Sequence, residues 1–246
     1  MLNFNDLLSS LIERNRLVFH SEDDFKFSLS QVIAERYPNF SVRLERPAEI
    51  PMLYRNGQPT IVRAPIDIIL IDEIGNTIPI ELKYKTKKAV FEFNNEKYSL
   101  SNHSANDVGR YSFRKDIYRI EKYLEKNQNS KVGYVLILTN DQAYSTSNAW
   151  DKNNIDKHFT FHQGAIIPEK DESWNSDSID ETKYYFDDTD KRWKYIGLKK
   201  NHWTCSDELF YKLDLNNNYN VNWQLYSEVQ ANKFEYCLLE VINNNA

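Results

Sequence analysis

Two carboxylates and a lysine stand in a stretch of the chain that is otherwise rich in apolar residues. Asp67 interrupts the apolar run Ile66 to Ile71, and Glu81 and Lys83 follow in the run Thr77 to Lys85. A carboxylate inside an apolar strand carries a desolvation cost unless it has a partner. Two carboxylates bind a hard divalent cation such as Mg²⁺ through oxygen and leave positions for water and a phosphate. A lysine beside such a cation orients or deprotonates the water and stabilises developing negative charge.

Two β-strands joined by a tight turn must position these residues. Side chains alternate along a strand, so Glu81 and Lys83 project from one face. Directly opposite residues of an antiparallel pair also share a face, so Asp67 joins them only if the turn has an odd number of residues or a strand is bulged. Residues 74–76 with a left-handed glycine or asparagine would meet this requirement. The alternative is a surface hairpin whose charges are solvated or form a weak ion pair.

The sequence Pro65-Ile-Asp67 followed by Glu81-Leu-Lys83 resembles the signature of the PD-(D/E)XK nuclease superfamily, which includes restriction, repair and recombination nucleases. Ile66 separates the proline from the aspartate, at a position that is loosely kept in the superfamily. The resemblance implies that Asp67 and Glu81 hold Mg²⁺, for which Mn²⁺ can substitute, and that Lys83 handles the attacking water. It further implies hydrolysis of phosphodiester bonds in nucleic acid, with DNA favoured, in restriction or phage defence.

A helix before these strands supplies a third candidate ligand. Ser21 can cap a helix that must end before Pro38, and Glu22 stands in its first turn. In the superfamily a helix at this place often adds a glutamate to the metal site, so the resemblance implies Glu22 as a further ligand. The alternative is that Glu22 only helps to start the helix.

A long helix is predicted from residue 105 or 106 through Lys126, with apolar residues at helical spacing on its core face. Arg110 flanks that stripe and can reach towards phosphate, as basic residues of the corresponding superfamily helix do. Lys85 and His103 are weaker candidates for the same role. Asp116 and Arg119 are expected to pair with one another at i and i+3.

The predicted order of elements is helix, strand, strand, strand, helix, strand, ending with the buried strand Val132 to Leu138. A helical crossover places that last strand parallel to a neighbour in the same sheet. The order resembles the αβββαβ core of the superfamily and implies a mixed α/β, restriction-endonuclease-like fold with a central mixed sheet flanked by helices. We divide the chain into a nuclease-like core with N-terminal helices, residues 1–145, and a strand-rich C-terminal extension, residues 146–246, packed on the core or continuous with it.

The extension contains all five tryptophans of the chain. Aromatic side chains fill a core or stack on unpaired bases, and core packing is the expectation here. Short strands are predicted at His158 to Phe161, Lys183 to Phe186, Arg192 to Leu198 and Phe234 to Ile242.

Composition excludes several classes of protein. No apolar run approaches the roughly 20 residues of a membrane span, and the N-terminus lacks the pattern of a signal peptide, so we expect a cytoplasmic protein with no membrane partner. Two distant cysteines indicate reduced thiols rather than a disulfide framework or a zinc site.

The charge of the chain is unevenly distributed. The net charge is −5, yet the segment Leu82 to Lys126 carries a local charge of +5. Such a segment suits phosphate binding, although a solvated helix face gives the same count. Because the chain as a whole carries a net negative charge, we expect regulated action, in which a homodimer or an activating partner protein completes a positive groove. The alternative function is a non-catalytic, nuclease-like scaffold that binds nucleic acid or a protein partner.

Overall fold

A seven-stranded sheet of mixed strand direction runs through the computed structural model of this chain. The structure describes residues 2–54, 57–103, 105–146, 156–172, 184–187, 189, 192–195 and 211–243. Three α-helices lie within these residues: α1 (Phe4–Glu13), α2 (Glu22–Arg36) and α3 (Asn106–Lys126). The Ser21 hydroxyl caps α2 by accepting a hydrogen bond from Asp24 N at 3.1 Å, as predicted. No helix in these residues is long and apolar enough to cross a membrane.

The described strands are β1 (Ser41–Tyr54), β2 (Pro59–Ile71), β3 (Thr77–Lys85), β4 (Ala89–Phe93), β5 (Glu96–Leu100), β6 (Val132–Thr139), β7 (Ile166–Ile167), β8 (Tyr184–Asp187), β9 (Arg192–Tyr195), β10 (Tyr211–Lys212), β11 (Tyr219–Asn220), β12 (Trp223–Val229) and β13 (Asn232–Ile242). The large sheet has the order β10-β1-β2-β3-β6-β13-β12. Strand β6 is parallel to β3, which confirms the predicted crossover, and the other pairs of this sheet are antiparallel.

Helices cover both faces of the sheet, because the central strands are apolar on both sides. Side chains of α1, α2 and the β4–β5 hairpin pack on one face against residues such as Leu70, Leu82 and Leu136. Side chains of α3 and the C-terminal segments pack on the other face against residues such as Ile69 and Ile137. The predicted mixed α/β class, with a central mixed sheet flanked by helices, is confirmed.

The sequence predicts a largely irregular segment from Thr86 to Ser104 with a short strand at Phe91 to Phe93, and the structure instead has the β4–β5 hairpin, whose first strand contains those residues. Its turn is Asn94-Asn95, and both residues have positive φ, at 52° and 61°. Two consecutive left-handed residues match the twist of a tight hairpin, and asparagine adopts this conformation more readily than most residues. The Asn-Asn pair between two alternating runs was therefore the signal for this hairpin.

The C-terminal extension adds strands to the sheet of the core. Strand β13 confirms the run predicted at Phe234 to Ile242 and pairs along the whole of β6. The predictions at 184–186 and 192–195 are confirmed as β8 and β9, whereas Lys183 and residues 196–198 lie outside the described residues. The prediction at His158 to Phe161 is wrong, because this segment forms a turn and a bend followed by non-repetitive chain.

Buried polar contacts hold the extension against α3. The Arg114 guanidinium donates to the carbonyl oxygens of Leu213 and Glu169, each at 2.9 Å. The Glu121 carboxylate accepts from Asn216 N at 2.9 Å and from the Tyr219 hydroxyl at 2.7 Å. These bonds connect α3, which also contributes to the candidate site below, to the last third of the chain.

Within the described residues, Trp223 packs in the core and Cys237 is a free thiol, both as predicted. Trp223 is 8% exposed and donates its indole N–H to Phe161 O at 2.6 Å. Cys237 is a free, buried thiol on β13. Trp150, Trp174, Trp203 and Cys205 lie outside the described residues, as does the side chain of Trp193.

Gly133 allows α3 and β3 to approach β6 closely. A Cβ at this position would lie 2.5 Å from Ile120 Cγ2 and 2.9 Å from Pro79 Cγ. We expect Gly133→Ala to lower the free energy of unfolding by about 1–3 kcal/mol, because an extra methyl group in a packed core forces its neighbours apart. Urea unfolding checks this expectation through a lower midpoint at unchanged slope. An unchanged midpoint would contradict the close packing.

Candidate active site

The turn between β2 and β3 has the odd length that brings Asp67 to the face of Glu81. Residues 72–76 separate the strands, and Gly75 is left-handed with φ +87°. The last paired residues before the site are Ile68 and Ile80, so the next two, Asp67 and Glu81, stand opposite each other. The carboxylate of Asp72 fixes the turn by accepting from Ile74 N at 3.0 Å and Asn76 N at 2.7 Å.

The two strands separate beyond this point, and carboxylates take the main-chain N–H groups that β3 presents there. Asp67 Oδ2 accepts from Leu82 N at 2.8 Å, and Glu22 Oε2 accepts from Tyr84 N at 2.8 Å. On its other edge, β3 remains paired with β6 as far as Lys85. Buried main-chain N–H groups need acceptors. Because β2 no longer supplies them here, Asp67 and Glu22 each accept one of these hydrogen bonds, which fixes one oxygen of each carboxylate.

Helix α3 adds a carboxylate, that of Asp116, and a guanidinium, that of Arg119, to the cluster. Lys83 Nζ lies 3.0 Å from Asp116 Oδ2, and Arg119 Nη2 lies 3.0 Å from Glu81 Oε1. Arg119 Nη1 is 3.5 Å from Asp116 Oδ1, which confirms the predicted i, i+3 pair. The sequence analysis paired these two residues only with one another and missed their contacts with Lys83 and Glu81. The sequence does indicate that these two side chains lie near the core, because Asp116 directly precedes Ile117 and Arg119 directly precedes Ile120, both in the apolar stripe.

Helix α2 places a second lysine on the other side of Asp67. Lys26 Nζ lies 3.4 Å from Asp67 Oδ1 and 3.0 Å from Asp23 Oδ1, and it also contacts the Glu45 carboxylate. Lys26 is 7% exposed, although lysine is seldom buried without a partner. Sequence reasoning gave no role to Lys26.

A cleft of about 320 Å³ opens onto this cluster. Asp67, Glu81 and Lys83 line it together with residues of the β1–β2 hairpin and the α3 cations Lys115 and Arg119. The side chain of Lys83 is 16% exposed, whereas that of Glu81 is 1% exposed. The three residues singled out in the sequence therefore reach one cavity.

The acids of the cluster differ in protonation behaviour. Burial raises the pKa of Glu81 well above its usual range, and Arg119 opposes this effect only in part. Burial also acts to raise the pKa of Asp67, but Lys83, the Glu81 side chain and Leu82 N–H outweigh it and hold that pKa below its usual value. Of these two residues, Asp67 therefore stays ionised more readily.

Lys83 remains a cation at neutral pH. Burial alone would lower its pKa, but four neighbouring carboxylates raise it above the ordinary value: those of Asp116, Glu22, Glu81 and Asp67. A lysine with a raised pKa is a poor base. Of the two roles considered for Lys83, this favours orientation of the water and stabilisation of negative charge over deprotonation.

The donor chemistry of the cluster fits a hard divalent cation, although the side chains are not arranged around one. Mg²⁺ is commonly held by one or two carboxylates together with water and phosphate oxygens. Asp67 and Glu81 supply two carboxylates, and no described residue gives a well-directed hydrogen bond to Glu81 Oε1 or to either Asp116 oxygen. No set of three or more His, Cys, Asp and Glu side chains in the described ranges has the spacing of a metal site.

The remaining predicted residues lie in different places. Glu22, with an oxygen on Tyr84 N, is close enough for Lys83 and Asp67 to influence its pKa, which burial raises. Lys85 is half-buried on the same face of β3, two residues after Lys83. Burial lowers its pKa, and the positive charge of Lys83 lowers it further. The His103 ring accepts a hydrogen bond from Thr86 N at 2.9 Å, at the end of β3.

Arg110 lies outside the cluster. Its guanidinium is buried, 2.5 Å from Asp156 Oδ2, and donates to Ala143 O at 2.7 Å. Arg110 and Arg119 are nine residues apart, so they project from opposite sides of a helix with about 3.6 residues per turn. The structure therefore brings Arg119, rather than Arg110, to the carboxylates.

The raised pKa of Glu81 predicts a pH-dependent gain in stability for Glu81→Gln. A carboxyl whose pKa is raised by folding contributes stability below its unfolded pKa and loses it as the pH rises through the folded pKa. Between pH 5 and pH 8 without metal, we expect the free energy of unfolding of the variant to rise relative to that of wild type by on the order of 1 kcal/mol. Denaturant unfolding from pH 5 to 8 checks this, with the exposed Glu73→Gln as the control. A difference that grows towards low pH would contradict the assignment.

Comparisons of the chain with family models, with curated proteins and with solved structures gave no match, so the fold and the site described above carry the functional argument.

Proposed function

We propose that this chain is a metal-dependent nuclease of the PD-(D/E)XK type that hydrolyses phosphodiester bonds, with DNA as the favoured substrate. The observation that carries the proposal is the convergence of Asp67, Glu81 and Lys83 on one cleft at the point where β2 and β3 separate. Two carboxylates and a lysine on neighbouring strands match the requirements of metal-assisted phosphodiester cleavage. The order α2-β1-β2-β3-α3-β6, with the β4–β5 hairpin inserted before α3, supports the αβββαβ core implied by the signature. A setting in restriction or phage defence belongs to the same proposal.

In this proposal Asp67 and Glu81 would hold Mg²⁺ or Mn²⁺, and Glu22 would add an oxygen from the start of α2. The ion supplies a polarised phosphoryl oxygen and an acidified water when bound. Lys83, kept protonated by its acidic neighbours, orients the water and stabilises the charge that develops on the phosphoryl oxygens. Asp116 positions Lys83 through the 3.0 Å ion pair.

The surroundings of the cleft support an anionic polymer as the substrate. Arg63 lines both the candidate cleft and a second cleft of about 420 Å³, which is bordered by Arg46 and Lys126. Arg46, Arg63 and Lys126 are exposed, and Lys115 is half-buried on the α3 side. Basic side chains along a groove neutralise phosphates without reading sequence. We expect the substrate backbone to pass from the candidate cleft into the second cleft.

This path predicts a loss of affinity when both arginines of the β1–β2 hairpin are removed. We expect Arg46→Ala/Arg63→Ala to bind oligonucleotides more weakly, independently of sequence, and to reduce the slope of log K against log salt by about 2. Fluorescence anisotropy in EDTA measures binding without cleavage. Arg43→Ala is the matched control, since Arg43 is exposed on β1 but lines neither cleft. Equal slopes for the double variant and the control would contradict the path.

The function is tested by incubating the protein with plasmid, linear duplex DNA, single-stranded DNA and RNA, each with Mg²⁺, Mn²⁺ or EDTA. We expect metal-dependent cutting of at least one substrate, and the panel identifies which nucleic acid is cut and whether cutting is internal. Repetition over a range of protein concentrations shows whether a dimer is the active form. No cutting of any substrate at any concentration, with or without metal, would contradict the proposal for the isolated chain.

A second candidate function is a non-catalytic, nuclease-like scaffold that binds nucleic acid or a protein partner. One observation favours it: the chain's own cations already contact Asp67, Glu81 and Asp116, namely Lys26, Arg119 and Lys83. In a scaffold these ion pairs are purely structural. Calorimetry distinguishes the two functions, because a scaffold does not bind Mg²⁺ at this cluster.

A further inference from the structure

Arg119 bridges three groups at the mouth of the candidate site. One guanidinium nitrogen lies 3.0 Å from Glu81 Oε1 and also donates to Pro65 O, while the other is 3.5 Å from Asp116 Oδ1. The carboxylates of Glu81 and Asp116 are each 1% exposed, whereas the Arg119 side chain is 13% exposed and lines the cleft. Arg119 therefore contacts two buried carboxylates and also lines the cavity that substrate would enter.

The position of Arg119 conflicts with simultaneous metal binding by Glu81. Both the guanidinium and a divalent cation are positive, and both would be neutralised by the same Glu81 carboxylate. Like charges a few ångströms apart in a poorly solvated site repel strongly. The contact with Glu81 Oε1 is also not a well-directed hydrogen bond, so it resists displacement less than an aligned pair would.

We propose that Arg119 is an exchangeable counter-ion, which holds Glu81 in the resting protein and moves to a substrate phosphate when a divalent cation takes Glu81. This inference rests on the proposed nuclease function. A guanidinium is suited to both partners, because its fork of donors pairs with carboxylate and phosphate alike. The side chain lines the cleft already, so the exchange requires movement of the side chain and not of α3.

Exchange makes metal and phosphate binding cooperative. Without phosphate, the cation must displace Arg119 from Glu81, and its affinity is reduced accordingly. With phosphate present, the guanidinium has another partner, and the metal binds more tightly. Such coupling between two ligands is reciprocal and is commonly about 5–150-fold in affinity. The resting site would thus be charge-balanced and inactive until both ligands arrive.

Calorimetric titration of Mg²⁺ into wild type, Arg119→Met and Arg119→Lys tests the proposal without any cleavage assay. The methionine retains an apolar stem but no charge, and the lysine retains the charge. In the absence of phosphate, we expect Arg119→Met to bind Mg²⁺ at least about fivefold more tightly than wild type, with Arg119→Lys close to wild type. Inorganic phosphate can also bind the metal directly, so its addition should tighten Mg²⁺ binding to both proteins, but by at least about fivefold more for wild type than for Arg119→Met. Thermal unfolding with and without Mg²⁺ gives a second readout, in which the metal raises the melting temperature of Arg119→Met more than that of wild type.

The possible results separate this inference from the proposed function. Equal Mg²⁺ affinities for wild type and folded Arg119→Met would overturn the counter-ion role and leave the metal site standing. Absence of Mg²⁺ binding by all three proteins would overturn both. If Arg119→Met fails to fold, an Mg²⁺ affinity of wild type that does not respond to inorganic phosphate would overturn the exchange.

Discussion

Lys83→Ala should reduce the rate of metal-dependent cleavage by about 10²–10⁴-fold, the range for removal of a positioned catalytic group or charge. Lys83 is the cation in the cleft that four carboxylates keep protonated, so its removal takes away both the orientation of water and the stabilisation of developing charge. Single-turnover cleavage at saturating Mg²⁺ measures this loss. Because Lys83 is not a metal ligand in this account, Mg²⁺ affinity should not fall.

The exposed lysine of β5 provides the control for this substitution. Lys97→Ala removes the same charge at an exposed position that lines neither cleft, and it should cleave at the wild-type rate. Loss of activity that comes with an equal loss of Mg²⁺ binding in Lys83→Ala would contradict the assigned role. It would indicate that Lys83 holds the cluster together rather than acting on water and phosphate.

Asp67→Asn should weaken Mg²⁺ binding by at least about 10–100-fold and abolish detectable cleavage, since even outer-shell changes at metal sites cost this much. The amide oxygen can still accept from Leu82 N, the bond that Asp67 Oδ2 makes at 2.8 Å, so the strand arrangement should persist. What is lost is the negative charge, which Lys83 and other neighbours maintain by lowering the pKa of Asp67 against the effect of burial. Calorimetry and cleavage are measured on the same preparation.

Asp72→Asn is the matched control for this substitution. Asp72 belongs to the same hairpin, five residues further along, and its carboxylate accepts main-chain N–H groups of the turn. Asparagine can replace it in that role, so this variant should retain both Mg²⁺ binding and cleavage. Wild-type Mg²⁺ affinity in Asp67→Asn would exclude Asp67 as a ligand.

The part of the site that lies on neighbouring strands could be predicted from the sequence. Alternation along a strand fixes the shared face of Glu81 and Lys83, and the condition of an odd turn for Asp67 is met by residues 72–76. Local rules suffice here because a hairpin is a local structure. The β4–β5 hairpin was missed although its Asn-Asn turn follows the same rules.

The contributions of the helices could not be read in the same way. The spacing of Asp116 and Arg119 predicts only that they pair with one another at i and i+3. The packing of α3 against β3 shows in addition that Asp116 contacts Lys83 and Arg119 contacts Glu81. Which side of α3 faces the carboxylates depends on how its whole apolar stripe packs against the sheet. An arginine chosen from the opposite side of the helix is therefore assigned the wrong partner. Arg110, chosen from sequence for phosphate, instead contacts Asp156, which stands 46 residues later in the chain.

The measurement that tests the central claim most directly is cleavage of the preferred substrate by wild type and Lys83→Ala, side by side, with Mg²⁺ and with EDTA. We expect cutting by wild type in Mg²⁺ but not in EDTA, and no more than residual cutting by the variant. Cutting that persists in EDTA, or that is equal in the two proteins, would contradict a metal-dependent nuclease site built on Asp67, Glu81 and Lys83.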